Sequence, residues 1–187
     1  MKPASTTKIM TSLITLEEAA SCNSEVTFKQ EMVAEGSSMY LKVGEKVRLS
    51  DLASGMMMAS GNDAANAAAY TISGSPEKFS QRMNEKAEQI GMTNTHFVTP
   101  SGLDDDNHYS SAKDMALLMS YALENDDFAN LTAKKSVTVE FLEPKSKKPH
   151  MQIITGFCRF IPTVQAEKQA IQRRQGGALF PLQKKMV

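Results

Sequence analysis

The sequence has no tryptophan, two cysteines, three histidines and 6% aromatic residues, and its charges sum to zero. Each scarcity closes off a class of protein. Cys22 and Cys158 match no metal-ligand spacing, and two thiols in 187 residues do not decide a redox compartment, so they are read as unpaired. No apolar run approaches the ~20 residues that span a bilayer, and no charged-then-apolar leader opens the chain, which as written carries no export address. The basic residues are scattered without interleaved aromatics, which argues against a nucleic-acid surface.

The chain is long enough for one domain with a fair core, or for part of a larger one. Its neutrality is unevenly built. Residues 1 to 148 carry 15 Lys and Arg against 20 Asp and Glu, while 149 to 187 carry 6 against 1. After Lys145-Ser146-Lys147-Lys148 neither helical nor strand periodicity is sustained, and Gln172-Arg173-Arg174-Gln175-Gly176-Gly177 offers nothing apolar to bury. Two parts follow from this, a body over 1–148 and an aberrant tail over 149–187.

What is present concentrates at the start. Ser5 and Lys8 are three apart, the spacing that puts two side chains on one helix face within hydrogen-bond reach. Pro3 and its small polar neighbours suit a helix start, where the positive dipole end favours negative charge on the serine oxygen. Ile9, Met10, Leu13, Ile14 and Leu16 then make a helix over about 5–20 apolar nearly all round, the mark of a buried helix. An amine held there is partly desolvated, which lowers its pKa and makes it a better base.

Farther along, Glu25-Val26-Thr27-Phe28 predicts a short extended piece, and the glycines of 35–49 a small hairpin. Ser50-Asp51 is expected to cap a helix carrying Met56, Met57 and Met58 as core residues. Gly61, between Ser60 and Asn62, breaks two helical segments, and such a break can project the Ser60 and Asn62 side chains into a cleft or merely cap a helix. Ser75-Pro76-Glu77 opens another helix that Gly91 stops. Residues 93–103 read as a loop with a short extended core. Asp104, Asp105, Asp106 and His108 have the residue types of a metal cluster, but consecutive acids on a loop point in different directions, so a solvated turn is expected and no metal. The last clear helix starts at Ser110-Ser111, and Val137 to Phe141 alternates as a strand.

Ser-x-x-Lys at Ser5 and Lys8, followed by Ser60-Gly61-Asn62, resembles the penicillin-recognising serine enzymes. The glycine in the second motif, together with Gly36-Ser37-Ser38-Met39-Tyr40-Leu41, Thr93-Asn94-Thr95-His96-Phe97 and Gly102-Leu103-Asp104 running to His108-Tyr109-Ser110, is similar to the low-molecular-mass D-alanyl-D-alanine carboxypeptidases (serine peptidase family S11). The likeness covers nearly all of 2–148. It implies the β-lactamase/transpeptidase-like α/β fold, here with its helical subdomain and nucleophile helix and largely without its sheet strands. It also implies acyl transfer on the peptidoglycan pentapeptide outside the cytoplasm, with β-lactam antibiotics acylating the same serine. Ser5 would be nucleophile, Lys8 its base, Ser60 a proton relay to the leaving amine and Asn62 a substrate ligand. No cofactor is implied, and membrane association belongs to the intact family member. A serine β-lactamase and an inactive remnant are the alternatives.

The 187 residues contain no Lys-Thr-Gly, the family's third motif; the nearest string, Ile154-Thr155-Gly156, lacks the cation. Joining the third base of each codon to the first two of the next, from Pro149 onward, permits a peptide that begins T-Y-A-N-H-N-R-F-L and reaches G-G-K-T-G-Y-T. This looks like the family's missing segment, and the tail is therefore expected to be out of frame and the literal chain impaired.

Overall fold

The computed structural model describes residues 1–152. A 3-10 turn at Ala4–Thr7 leads into helix α1 (Lys8–Ser21), whose residues from Lys8 to Leu16 are all buried. The all-round apolar pattern becomes an axle, with α2 (Leu49–Ala59), α3 (Asn62–Ser73), α4 (Pro76–Ile90), α5 (Ala112–Ala122) and α6 (Asp126–Ala133) packed around it. Leu13 and Ile14 have no exposed surface, and each such side chain contributes about 2 kcal/mol of hydrophobic stabilisation. Met56, Met57 and Met58 lie in the same core.

Caps follow local chemistry where side chains can reach. Ser75 accepts from the Lys78 N–H at the start of α4, with Pro76 in the first turn, and Gly91 ends that helix at φ 87°. At α2 the sequence points to Ser50-Asp51, whereas the cap position is Arg48, and Asp51 in the third helical position reaches back to the Arg48 N–H at 3.2 Å. Helix α6 lies beyond what the sequence pattern shows as the last helix. Its signals are short: Asn125 accepts from the Phe128 N–H, two acids fill the first turn, and Phe128 and Leu131 alone carry its apolar face.

Strands are few among the described residues. Strand β1 (Glu25–Thr27) pairs antiparallel with β2 (Lys46–Arg48), Val26 opposite Val47, so residues 35–49 pair with an earlier strand and do not form a hairpin. Strand β3 (Ser136–Thr138) pairs antiparallel with β4 (His150–Gln152), Val137 opposite Met151. The backbone pairing thus runs past Lys148 into the first residues of the expected tail; the rest of it, with Cys158 and Ile154-Thr155-Gly156, lies outside the described residues. Cys22 is exposed and unpaired.

Candidate active site

Two helix boundaries and a loop build the site: the 3-10 turn into α1, the α2–α3 junction, and the segment 98–102 laid across the start of α1. Ser5 is exposed on the turn and Lys8 is 2% exposed one turn on, with Lys8 Nζ 3.3 Å from Ser5 Oγ. The same amine donates to the Ser101 carbonyl at 2.7 Å. Burial lowers the Lys8 pKa to about 8 from 10.5, against the opposing pull of Asp63. At pH 7 roughly a tenth of the amine is then neutral, roughly 300-fold more than at the ordinary value.

Segment 98–102 is read by the polar stripe of α1. Thr11 Oγ1 donates to the Pro100 carbonyl at 2.6 Å, Lys8 takes the Ser101 carbonyl, and His108 Nε2 lies 2.9 Å from Thr7 Oγ1. Gly102, at φ 82°, lies so close that a Cβ would overlap the Ala4 carbonyl and come within 2.8 Å of Thr7 Oγ1. Gly102→Ala is expected to cost about 2–4 kcal/mol, from positive-φ strain plus overpacking. Gly44→Ala is the control, because Gly44 has φ 90° but nothing within 4 Å and should show the strain alone, about 1 kcal/mol. Urea midpoints of the two variants check this; equal losses would remove the contact argument.

At the α2–α3 junction Ser60 holds φ 53°, and its side chain makes no hydrogen bond among the described residues. Among the described residues Ala4, Tyr40 and Ser60 are the non-glycine residues at positive φ, at roughly 1–3 kcal/mol of strain each. Asn62 donates from Nδ2 to the Glu35 carbonyl at 2.6 Å, which leaves Oδ1 without a protein partner among the described residues. Gly61 is required by its neighbours: a Cβ there would stand 2.8 Å from Asp63 Oδ1 and 3.1 Å from the Met39 nitrogen.

Ser60 and Asn62 lie at a buried helix junction. They are 5% and 6% exposed, and the adjacent cavity of about 450 Å³ is bounded by the 37–40 loop, Ala59 and residues 149–152. Ser5 and Lys8 are brought into contact, whereas neither Ser60 nor Asn62 hydrogen-bonds to that pair among the described residues. Asp63 carries weight that its motif does not announce. Its Oδ1 accepts from the Met39 and Ala64 N–H groups and its Oδ2 from Ser38 Oγ and the Leu41 N–H, tying residues 38–41 to α3. Of the acids near His108, Asp104 and Asp106 both pair with the Lys2 amine, and Asp105 Oδ1 accepts from the Asn107 N–H. His108 turns inward, 3% exposed.

An exposed serine hydroxyl 3.3 Å from a buried lysine amine at the head of a buried helix is the Ser-x-x-Lys arrangement found in the penicillin-recognising serine enzymes. Residues 1–154 match the family described as D-alanyl-D-alanine carboxypeptidase, Peptidase S11. Among curated proteins the chain is 35% identical over 174 residues to D-alanyl-D-alanine carboxypeptidase DacF of Bacillus subtilis, covering 90% of this chain and 44% of the relative. It is 41% identical over 133 residues to DacA of Escherichia coli, covering 62% and 32%. A crystal structure of a D-alanyl-D-alanine carboxypeptidase from Mycobacterium tuberculosis superposes with TM-score 0.76 at 31% identity, over 84% of this chain and 59% of that one. The chain belongs to the D-alanyl-D-alanine carboxypeptidase family, with the β-lactamase/transpeptidase-like fold represented by its helical part. It spans about a third to under a half of the curated relatives' length.

Proposed function

We propose that Ser5 is the nucleophile of a serine-type D-alanyl-D-alanine carboxypeptidase and Lys8 its base. The contact at 3.3 Å between an exposed hydroxyl and a buried amine of pKa about 8 carries this reading. Lys8 takes the Ser5 proton as Oγ bonds to the carbonyl carbon between two terminal D-alanines. The C–N bond then breaks, Ser60 passes the proton to the leaving D-alanine, and water hydrolyses the ester to free Ser5. The unpartnered Oδ1 of Asn62 suits acceptance from a substrate peptide N–H. The substrate is the peptidoglycan pentapeptide, β-lactams acylate the same oxygen, and the site works on the outer side of the cytoplasmic membrane. No helix among the described residues is long and apolar enough to cross a membrane.

An inactive remnant is the second reading, favoured by one observation: the 187 residues hold no Lys-Thr-Gly to bind the substrate carboxylate. A small fluorophosphonate separates nucleophile activation from that binding, since it carries no carboxylate. It is expected to label Ser5 at pH 8 to 9, with the label lost in Ser5→Ala. Unlabelled Ser5, or labelling unchanged in Ser5→Ala, would overturn the serine assignment.

A further inference from the structure

His108 has the geometry of a lever on the Ser5–Lys8 pair. Its Nδ1 faces two backbone donors, the Val98 and Thr99 N–H groups at 3.1 and 3.2 Å, so Nδ1 must present its lone pair. The neutral ring therefore carries its proton on Nε2, which donates to Thr7 Oγ1. Thr7 has no exposed surface and directly precedes Lys8, while Val98 and Thr99 open the segment whose Ser101 carbonyl meets the Lys8 amine. One ring thus spans the two pieces of backbone that meet at Lys8, and Phe97 packs edge-on against it with centroids 5.7 Å apart.

We propose that His108 is a positioning residue: in its neutral form it pins segment 98–102 to the start of α1 and keeps Lys8 enclosed, and a second ring proton releases the segment. Protonation puts an N–H at Nδ1 against two N–H donors, so both bonds break at once. The charged and titratable groups around the ring are Asp105 and Asp104 on its own loop, His96 on the paired segment and Lys8 beside Thr7. Burial comes first and lowers the His108 pKa from 6.5, with Asp105 and Asp104 opposing and His96 adding. The sign follows: the neutral ring's contribution is complete above pH 6.5 and is lost as pH falls through the lowered value. The release is therefore an acid event, distinct from the Lys8 titration above it.

This inference rests on the Ser5–Lys8 reading, so its first readout is independent of any reaction. NMR titration should find Lys8 near its lowered pKa in the wild type and moved up toward 10.5 in His108→Ala, where the opened segment lets water reach the amine. In His108→Gln it should stay low, because the Gln amide accepts from the backbone N–H groups and donates to Thr7. The second readout is fluorophosphonate labelling of Ser5, expected to fall about 100-fold in His108→Ala at pH 7 as the neutral amine is lost. Most of that rate should return in His108→Gln, which also loses the extra fall below pH 6.5 that the wild type shows. An unshifted Lys8 titration in folded His108→Ala would overturn the proposal. If that variant does not fold, persistence in His108→Gln of the extra fall below pH 6.5, beyond the tenfold per pH unit that Lys8 itself sets, would do the same. Absence of all labelling in the wild type would strike the serine assignment alone, and the Lys8 titration would still read His108.

Discussion

Lys8→Met is expected to slow fluorophosphonate labelling of Ser5 by about 100- to 10,000-fold, the usual contribution of a positioned general base. In the wild type the rate should climb tenfold per pH unit below the Lys8 pKa of about 8 and level off above it, because only the neutral amine accepts the serine proton. In Lys8→Met that bend should be absent. The same substitution has two opposing effects on stability. Lys8 is charged at pH 7 although its burial disfavours charge, and a pKa lowered from 10.5 to about 8 means stability is full above 10.5 and lost as pH falls through 8. That loss is about 3 kcal/mol. Methionine removes the penalty but forfeits the charge-assisted bonds to Ser101 O and Ser5 Oγ, about 1.5–3 kcal/mol each, so the two effects offset and no net gain in stability at pH 7 is expected. A variant that is both less stable and equally reactive would remove Lys8 from the role of buried base.

The Ser5–Lys8 contact was legible because helical spacing is a local rule: the two lie three positions apart, and an all-round apolar run had to be buried. What encloses Lys8 was not legible. The Ser101 carbonyl lies 93 residues away, and a backbone acceptor has no side-chain signature. His108 stands in an acidic loop, where composition suggests a ligand or a solvated residue, yet its ring is directed inward by backbone donors ten residues earlier. Asp63 has no role that its local sequence announces, because three of its four acceptor bonds come from a loop brought in from residues 38–41. Helix α6 escaped because two apolar contacts in eight residues give no sustained period, and tertiary packing of Phe128 supplies what the pattern lacks.

A fluorescent penicillin is expected to leave the purified 187-residue chain unlabelled, although a fluorophosphonate labels it. Penicillin needs its carboxylate held and its carbonyl oxygen polarised from both sides. By the family resemblance the Lys-Thr-Gly strand supplies the cation and one of the two oxyanion donors. Losing one such donor typically costs ~100- to 1000-fold, and the missing cation adds to it. The frame itself is testable in the DNA. The third base of Glu167 followed by the first two of Lys168, and so on through Ala170, encodes Lys-Thr-Gly if those third bases are the right purines. An insertion or deletion near the codons for Lys147 to Pro149 is then expected, with an open frame beyond. Restoring it should bring stoichiometric, Ser5-dependent penicillin labelling. A shifted frame that stops, or that encodes Glu at the lysine position, would refute the frameshift, and a Ser5-dependent penicillin band from the literal chain would show that the third motif is dispensable here.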